Sequence, residues 1–450
     1  MKDLTSGNEG RLILGFTAPM LLGNLFQQFY TIVDSVIVGK FLGKEALAAV
    51  GSSHPIIFTL ISLVIGVASG GTVIIAQYFG SRNFEKVKAS IGTLYIFLFW
   101  ASIAITILGV SLSETLFGLI DLPQELMHDA KVYLNINFIG MVGFFGFNAT
   151  SAILRGLGDS KTPLYFLILS TLFNIAFDLL FVIVFGWGVA GAAIATVIAQ
   201  GGAFVTAAIY LNRTHEVIRI SWKEFEFDRE IFKKTLQIGL PTGIQHTLVS
   251  LGMTVVQGIV NKFGTNVIAA YTAATRLDML ATLPAMNFGM ALSTFVGQNV
   301  GAGKTERIKS GLKSTLLMSS AISLFVTAIM IFFGNFLMQL FVTPEETEVI
   351  RIGKEYLVIV SSAYIVFSAM FAINGVMRGT GDTLVPMFIT FFSLFLVRIP
   401  VAWFLSKEIG EQGIWWAIPV AWVVGTVLTY FYYLTGRWKT ISVIKFKSNK

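Results

Sequence analysis

Two short stretches of the 450-residue sequence share one pattern and decide the fold: "ILRGLGDSKTP" at 153–163 and "VMRGTGDTLVP" at 376–386. Four aligned positions carry the same residue, namely Arg155 and Arg378, Gly158 and Gly381, Asp159 and Asp382, and Pro163 and Pro386. "AQYFGSRNFEK" at 76–86 likewise answers "GQNVGAGKTER" at 297–307, and Pro19 answers Pro241. Similar segments at one fixed spacing indicate an internal duplication. The chain is therefore expected to contain two copies of one unit.

The composition places this duplicated unit in a membrane. Hydrophobic residues make up 55% of the chain, charged residues only 13%, and the mean hydropathy is +0.75. Soluble domains carry about 25% charged residues, so we predict an all-α polytopic membrane protein. A membrane-spanning helix needs about 20 mostly apolar residues. Twelve stretches qualify: 13–37, 54–78, 91–112, 132–154, 162–185, 189–211, 235–260, 268–296, 314–337, 355–377, 385–405 and 414–436.

The duplication divides the twelve spans into two sets of six. An even number of spans in each copy gives both copies the same orientation, as in parallel repeats. We predict an N-lobe over 1–211, a basic linker over 212–234, and a C-lobe over 235–450 that ends in a short basic tail. Two parallel six-helix bundles around a central cleft are suited to alternating access. A duplicated scaffold without a transport role is the less favoured alternative.

Basic residues gather in alternate loops. Of the 32 Lys and Arg residues, 23 fall in segments on the same side as the N-terminus and 7 on the opposite side, while Arg276 and Arg398 are assigned near helix ends. Because basic loops stay in the cytoplasm, both termini are predicted to be cytoplasmic. This topology accounts for the net charge of +7 without a nucleic-acid partner.

Among the polar residues within predicted spans of the N-lobe, four are the main candidates: Asp34 on span 1, Asn174 and Asp178 on span 5, and Thr196 on span 6. A carboxylate at the centre of a span costs about 3 kcal/mol on insertion scales. Such a residue is therefore expected to have a functional role or a partner side chain that neutralises it. Asn174 and Asp178 are four residues apart and share a helix face. Each of Asp34, Asp178 and Thr196 lies within about 12 Å of the outer end of its span. We expect these side chains to converge at one level.

Two neighbouring carboxylates in a medium of low dielectric raise each other's proton affinity. With amide and hydroxyl oxygens beside them, they are also suited to a hard cation such as Na⁺, or to an organic cation. A simpler interpretation pairs each Asp with a buried base, but no Lys or Arg lies within the body of spans 1–6. In the second copy Val255 or Val256, Val397 and Val401 occupy the corresponding positions. The acids therefore belong to one lobe only.

Other polar residues are weaker candidates. Gln27 and Tyr30 on span 1, and Gln245 and His246 after Pro241 on span 7, are candidates for lining the cleft. A single His in such a position is more often a packing residue with a satisfied hydrogen bond. Two further possibilities are that Pro19 bends span 1 and that Arg276 pairs with Asp278.

Several chemistries are absent from the sequence. The chain has no cysteine, which excludes thiolate catalysis and Cys-ligated metals, and it has no nucleotide-binding P-loop or hydrolase motif. The "RGLGDS" and "RGTGDT" loops are more consistent with turns and helix caps than with phosphate binding. The chain is expected to be no enzyme, to need no cofactor, and to draw its energy from an ion gradient.

The sequence resembles the prokaryotic MATE (multidrug and toxic compound extrusion) transporters of the MOP superfamily over its whole length. The resemblance rests on "PMLLGNLFQQFYTIVDSVIVGKFLGKEALAAVG" at the start, "RGLGDSKTP" and "FVGQNVGAGKTERIK". It implies that Asp34, Asn174, Asp178 and Thr196 form the cation-coupling site, with Na⁺ or H⁺ as the ion, and that Pro19 marks a bend. Some members also use acids on spans 7 and 10, which this chain lacks.

The resulting prediction is a multidrug efflux antiporter of the prokaryotic plasma (inner) membrane, which exchanges organic cations for H⁺ or Na⁺. It would contact membrane lipids and function as a monomer. A flippase of lipid-linked substrates is the alternative within the superfamily, although an anionic headgroup would require a basic cleft. A cation channel and a membrane enzyme are alternatives from other classes.

Overall fold

The computed structural model describes residues 2–214 and 225–442, and all of their regular secondary structure is helical. Because 215–224 lie outside the described residues, the middle of the predicted linker does too. The α-helices are α1 Glu9–Phe41, α2 Lys44–Gly80, α3 Phe84–Gly118, α4 Gln124–Ile139, α5 Met141–Gly156, α6 Lys161–Asp178, α7 Gly188–Thr214, α8 Arg229–Val260, α9 Thr265–Gly301, α10 Thr305–Gln339, α11 Thr347–Ser361, α12 Tyr364–Thr380, α13 Leu384–Phe391, α14 Ile399–Ile409 and α15 Glu411–Leu434. π-Helical segments continue α6 over Leu179–Val184 and join α13 to α14 over Phe392–Arg398.

The predicted twelve spans correspond to ten long helices and two bent pairs. The helix α4 meets α5 at 49°, and α11 meets α12 at 47°. Each bent pair covers one predicted span, 132–154 in the first copy and 355–377 in the second. If each pair counts as one span, the described residues contain twelve. The all-α membrane fold is thereby confirmed.

The repeated motif forms the same turn in both copies. Gly158 and Gly381 have φ of 80° and 103°, a left-handed conformation that glycine adopts without a steric penalty. The next residue donates its backbone N–H to a carbonyl of the preceding helix, Asp159 to Leu154 at 2.8 Å and Asp382 to Met377 at 2.9 Å. Asp159 Oδ1 then accepts the backbone N–H groups of residues 161 and 162 at the start of α6. The predicted turn is confirmed in both copies, and the predicted cap is confirmed in the first.

The residue contacts divide the chain into two compact units. The first unit contains the described residues of Ala18–Gly243, and the second contains Leu4–Thr17 together with the described residues from Ile244 onward. The division differs from the predicted lobes 1–211 and 235–450, because α1 and α8 each contribute residues to both units. Pro19 and Pro241 lie close to the points where these helices pass from one unit to the other. Helix α1 is continuous across Pro19, and the bend stays a prediction.

Within the first unit, two glycine stripes pack against each other. "GVASG" at 66–70 on α2 and "GLPTG" at 239–243 on α8 both have the G-x-x-x-G spacing. A Cβ atom on Gly66 would overlap the backbone of Gly243, and one on Gly70 would lie 2.6 Å from the Thr235 carbonyl oxygen. Small residues at this spacing allow two helices in a membrane to bring their backbones into contact. The stripes therefore hold the start of α8 against α2.

Residues 4–9, the strap, are fixed inside the second unit by the end of α9 and the start of α10. Gln298 and Asn299 bond the backbone of Leu4, and basic side chains of α10 and its preceding turn hold the rest. The contacts are Leu4 N–H to Gln298 Oε1 (2.9 Å), Asn299 Nδ2 to Leu4 O (3.1 Å), Lys304 Nζ to Thr5 O (2.9 Å), Arg307 Nη2 to Gly7 O (2.8 Å) and Arg307 Nη1 to Glu9 Oε1 (2.9 Å).

Candidate cation-binding site in the first unit

The four polar residues predicted to converge are all buried in the first unit. Asp34 on α1 is 4% exposed, Asn174 and Asp178 on α6 are 2% and 0% exposed, and Thr196 on α7 is 6% exposed. Because Asn174 and Asp178 are one turn apart, both face the same side of α6. Three helices therefore supply one polar cluster.

A chain of hydrogen bonds joins three of these side chains. Oriented so that its oxygen faces donors, the Asn174 amide donates from Nδ2 to Asp178 Oδ2 at 3.0 Å and accepts from the backbone N–H and hydroxyl of Thr196 at 3.1 and 3.3 Å. The Tyr30 hydroxyl lies 3.2 Å from Thr196 Oγ1. Since the Thr196 hydroxyl donates to Asn174, Tyr30 donates to Thr196. Tyr30, which the sequence suggested as a residue lining the cleft, is thus hydrogen-bonded to the cluster.

The two carboxylates keep free acceptor atoms. Asp34 Oδ1 and Asp178 Oδ1 are buried without a hydrogen-bond partner, and among the described residues neither carboxylate forms an ion pair. The two groups also lie within electrostatic range of each other. An unpaired buried carboxylate oxygen is costly, and a bound proton or metal cation would remove that cost. Asp34, Asn174, Asp178 and Thr196 together supply the oxygen ligands that a hard cation prefers.

The local structure of α6 changes at Asp178. The regular α-helix ends at this residue, and the π-helical segment Leu179–Val184 begins. π-Helical turns are rare and occur frequently at functional sites. This change could not be predicted from the sequence, because the apolar run "LLFVIV" is compatible with both kinds of helix.

The sequence prediction missed Tyr133 on α4. Its side chain is 4% exposed, lies within electrostatic range of Asp34 and Asp178, and has its ring 6.4 Å from that of His54. A signal was available in the repeat, because "KVYL" at 131–134 matches "KEYL" at 354–357. The second tyrosine, Tyr356, is also buried, at 2% exposure.

The remaining candidates do not join the cluster. Gln27 is exposed on α1. Gln245 and His246 belong to the second unit, where Gln245 Nε2 donates to Thr390 Oγ1 at 2.7 Å. Among the described residues no cluster of three or more His, Cys, Asp or Glu could hold a metal ion. A Na⁺ site would thus depend on the amide and hydroxyl oxygens as well as on the two acids.

The second unit has a different polar centre. Asp278 Oδ1 accepts a hydrogen bond from the Tyr364 hydroxyl at 2.7 Å and forms no ion pair with Arg276 among the described residues, so the suggested pairing is wrong.

Arg398 was assigned near a helix end, but it lies inside the continuous helical run Leu384–Ile409. The π-helical segment before Pro400 lets the helix continue past the proline.

The valines that replace the acids in the second copy serve packing. Val256 is fully buried in the hydrophobic core of the second unit, and Val401 packs against the same core. The cluster of acids is therefore specific to the first unit.

Comparison with known proteins agrees with this architecture. The MatE family model matches residues 19–180 and 241–404, one match in each half of the chain. The chain is 32% identical over 447 residues to the probable multidrug resistance protein YpnP of Bacillus subtilis, covering 98% of both chains, and 33% identical over 427 residues to YoeA of the same organism, covering 93% and 92%. The fold is similar to that of an outward-facing multidrug resistance MATE family transporter of the MOP superfamily, with a TM-score of 0.91, 23% identity and 98% of both chains covered.

The two matches to one family model reproduce the duplication seen in the sequence, and the similarity to both relatives extends over nearly the whole chain. Together with the helical membrane fold, these findings identify the chain as an integral membrane protein that belongs to the MatE family of transporters.

Proposed function

We propose that the protein is a secondary active antiporter that exports organic cations in exchange for H⁺ or Na⁺. The observation that carries this proposal is the pair of buried carboxylates in the first unit, each with a free oxygen and neither paired with a base. Such a pair attracts a cation. Burying two carboxylates without a counter-ion costs free energy, and ion binding removes that cost. The names of the multidrug resistance relatives support a drug-like substrate.

In this proposal the coupling ion binds at Asp34 and Asp178. A proton would relieve the repulsion between the carboxylates, whereas Na⁺ would add the oxygens of Asn174 and Thr196 as ligands. The ion drives transport only if it binds one conformation more tightly than the other. The hydrogen-bond chain through Thr196 to Tyr30 provides one connection from the carboxylates to α1 and α7. No cofactor takes part in the cycle.

The distribution of Lys and Arg supports cytoplasmic termini, and the bacterial relatives support a prokaryotic plasma (inner) membrane location. All cluster residues come from one chain, so a monomer contains the complete proposed site. The partners are small organic cations and the surrounding lipids, and no nucleic acid is involved.

The test is transport in proteoliposomes loaded with ethidium, with a pH gradient and a Na⁺ gradient imposed in separate experiments. We expect one gradient to drive ethidium movement, and we expect Asp34→Asn and Asp178→Asn each to abolish it. Asp121→Asn, which changes an exposed acid in the same unit, serves as the matched control and should retain activity. Absence of gradient-driven movement in the folded wild-type protein would contradict the proposal.

An anionic substrate, such as a lipid-linked one, is the second candidate. It is favoured by Arg398, which is 8% exposed in the second unit and has a buried Nε without a hydrogen-bond partner. A guanidinium in this state is suited to binding phosphate or carboxylate. If this candidate is correct, Arg398→Gln abolishes transport of a fluorescent lipid-linked phosphate, and ethidium is not moved by the wild-type protein.

A further inference from the structure

A cavity of about 320 Å³ lies in the first unit, at the end of the unit where α1 ends and α7 begins. We call this cavity the vestibule. Its polar side chains are His128 and Asp129 of α4, and its wall includes Leu42 and the turn from Gly186 to Gly188. His128 is exposed and Asp129 is partly buried. The vestibule therefore offers an imidazole and a carboxylate near the end of the unit.

Three segments of the chain contribute residues both to the buried acid cluster and to the vestibule, at regular spacings of four. In each of the three segments, an apolar residue lies four positions from a cluster residue, and a vestibule residue lies four positions further in the same direction. The three columns are Asp34 and Val38 on α1 with Leu42 just after it; Asp178 on α6, Val182 on its π-helical continuation and Gly186 two residues past that continuation; and Thr196, Ala192 and Gly188 on α7. Four residues of helix rise by about 6 Å. Eight residues, or about 12 Å of helix, thus separate each cluster residue from the vestibule residue in its column, with one apolar residue midway.

The intervening turn is a single apolar layer. Val38, Val182 and Ala192 are 0%, 4% and 0% exposed, and all three belong to one hydrophobic core cluster. Ala46 and Val189 belong to this cluster and also line the vestibule, so the layer is the vestibule's floor. Its side chains are small or β-branched, and none of them can bond a passing ion.

A fourth helix connects the two levels with polar groups. On α4, Tyr133 belongs to the same core cluster and Asp129, one turn away, lines the vestibule. The titratable groups that face this region are Tyr30 and Asp34 from α1, His54 from α2, His128, Asp129 and Tyr133 from α4, and Asp178 from α6. No described Lys or Arg lines the vestibule. Carboxylates therefore lie on both sides of the apolar layer, and they attract cations.

We propose that the vestibule is the access site through which the coupling cation reaches Asp34 and Asp178, and that Val38, Val182 and Ala192 form a hydrophobic gate beneath it. The inference rests on the proposed antiport and names its ion route. Hydrophobic constrictions gate ion passage by excluding water, and one turn of small side chains is thin enough to become hydrated after a modest shift of one helix. Asp129 would raise the local cation concentration above the gate.

The first test compares Asp129→Asn with Glu125→Gln, which removes a charge from an exposed position one turn away on the same helix. We measure the ion concentration that gives half-maximal gradient-driven ethidium transport. Asp129→Asn should raise it about three- to tenfold while the maximal rate and ethidium binding stay at the wild-type level. Glu125→Gln should leave it unchanged, and equal values for the two variants would overturn the proposal.

The second test measures ion leak through the gate without any drug present. Val182→Ala removes two methyl groups from the gate, whereas Val184→Ala makes the same change at a position of the same π-helical segment that is 70% exposed. Val182→Ala should increase the substrate-free proton or Na⁺ leak into liposomes severalfold, and Val184→Ala should not. Equal leak in both variants would show that this layer is not the barrier.

The third test uses the absence of cysteine from the chain. Val132→Cys places a single thiol in the vestibule, and Glu125→Cys places one outside it. A membrane-impermeant cationic thiosulfonate should label both thiols but slow ion-driven transport only in Val132→Cys. Failure to label Val132→Cys, or labelling without an effect, would contradict the proposal. If the wild-type protein shows no gradient-driven transport, the proposed antiport fails, whereas the leak comparison still tests the gate.

Discussion

At the scale of single residues, the two acids of the cluster are not equivalent. Asp178 has one oxygen fixed by the Asn174 amide and one oxygen free, whereas Asp34 receives no hydrogen bond at Oδ1 and comes from a different helix. Asp178 is thus held in place by its neighbours, and Asp34 is the more adjustable group. An ion shared by both would draw α1 towards α6.

The Thr196 hydroxyl connects two other residues of the site, because it forms hydrogen bonds with both Asn174 and Tyr30. Thr196→Val keeps the shape of the side chain but removes the hydroxyl that bonds both Asn174 and Tyr30. Loss of one such buried hydrogen bond costs about 1–3 kcal/mol, so the half-saturating ion concentration should rise at least about fivefold. Thr206→Val on the same helix, where the hydroxyl bonds only the backbone of its own helix, should have no such effect. Equal ion dependence of the two variants would contradict a role for the Thr196 hydroxyl.

The sequence alone predicted much of this site. Asp34, Asn174, Asp178 and Thr196 could be grouped because the depth of each residue follows from the topology of its span. Tyr133 and Asp129 could not be grouped in this way, because α4 and α5 form a bent pair and a hydropathy pattern does not record a bend. The vestibule was missed for the same reason, since its polar side chains come from α4.

At the scale of helices, glycine decides how closely α2 and α8 pack. A Cβ atom at Gly66 would overlap the backbone of Gly243, and no side-chain rotation can relieve that overlap. Gly66→Ala should therefore destabilise the protein by about 2 kcal/mol or more, measured as a lower Tm in detergent. Gly51→Ala is the control on the same helix, because nothing lies within 4 Å of its Cβ position. A normal Tm for Gly66→Ala would mean that the two helices are not in close contact in the membrane.

Asp228 caps the start of α8. Its Oδ1 accepts the backbone N–H groups of Glu230 and Ile231 at 2.9 and 3.0 Å, and its Oδ2 pairs with Lys86 Nζ at 2.9 Å. Burial raises the pKa of Asp228, but the hydrogen bonds and the charge of Lys86 outweigh it and hold the pKa below its ordinary value. Stability from this group is then present at neutral pH and is lost as the pH falls through the lowered pKa.

Replacement of the cap gives a prediction with a pH signature. Asp228→Ala should destabilise the protein by about 1 kcal/mol at pH 7, and the difference from wild type should shrink as the pH falls through the lowered pKa of Asp228. Tm measured against pH for both proteins checks this expectation. A difference that is independent of pH would indicate a loss of packing instead of a loss of charge.

The kinds of helix within the predicted spans could not be predicted from composition. The segments Leu179–Val184 and Phe392–Arg398 are π-helical, and their apolar sequences are equally compatible with regular α-helix. By contrast, the turn at Gly158 and its counterpart at Gly381 followed from residue type, because the motif combines a residue that tolerates a left-handed backbone with one that caps a helix.

At the scale of the whole molecule, the features that the two halves share determine the fold. The proposed function depends on a difference between the halves. Each half has the repeated turn, the bent pair and a buried tyrosine at the matching position, but within 2–214 and 225–442 only the first half has the acid cluster. The apolar stretches predicted the twelve spans, and the duplication divided them into two sets of six. The sequence did not predict that residues 4–17 belong to the second unit, because the contacts that place them there join segments that are far apart in the chain.

Since the cluster and the vestibule both lie within one chain, a single copy should suffice for transport. We expect liposomes that contain on average fewer than one 49.2 kDa chain to show ethidium efflux at a rate proportional to the number of chains. Counting fluorescently labelled protein per vesicle checks this expectation. A rate that rises with the square of the protein density would indicate that two copies are needed.

The strap has a consequence for how the molecule is made. Leu4 is separated by 294 and 295 residues from its hydrogen-bond partners Gln298 and Asn299, so the ribosome has synthesised about two thirds of the chain before these bonds can form. The first helix can enter the bilayer early, but its beginning must wait for α9 and α10. A translation product that stops before Gln298 would leave the strap unattached and open to proteolysis. Maturation of the first segment thus depends on completion of the second half.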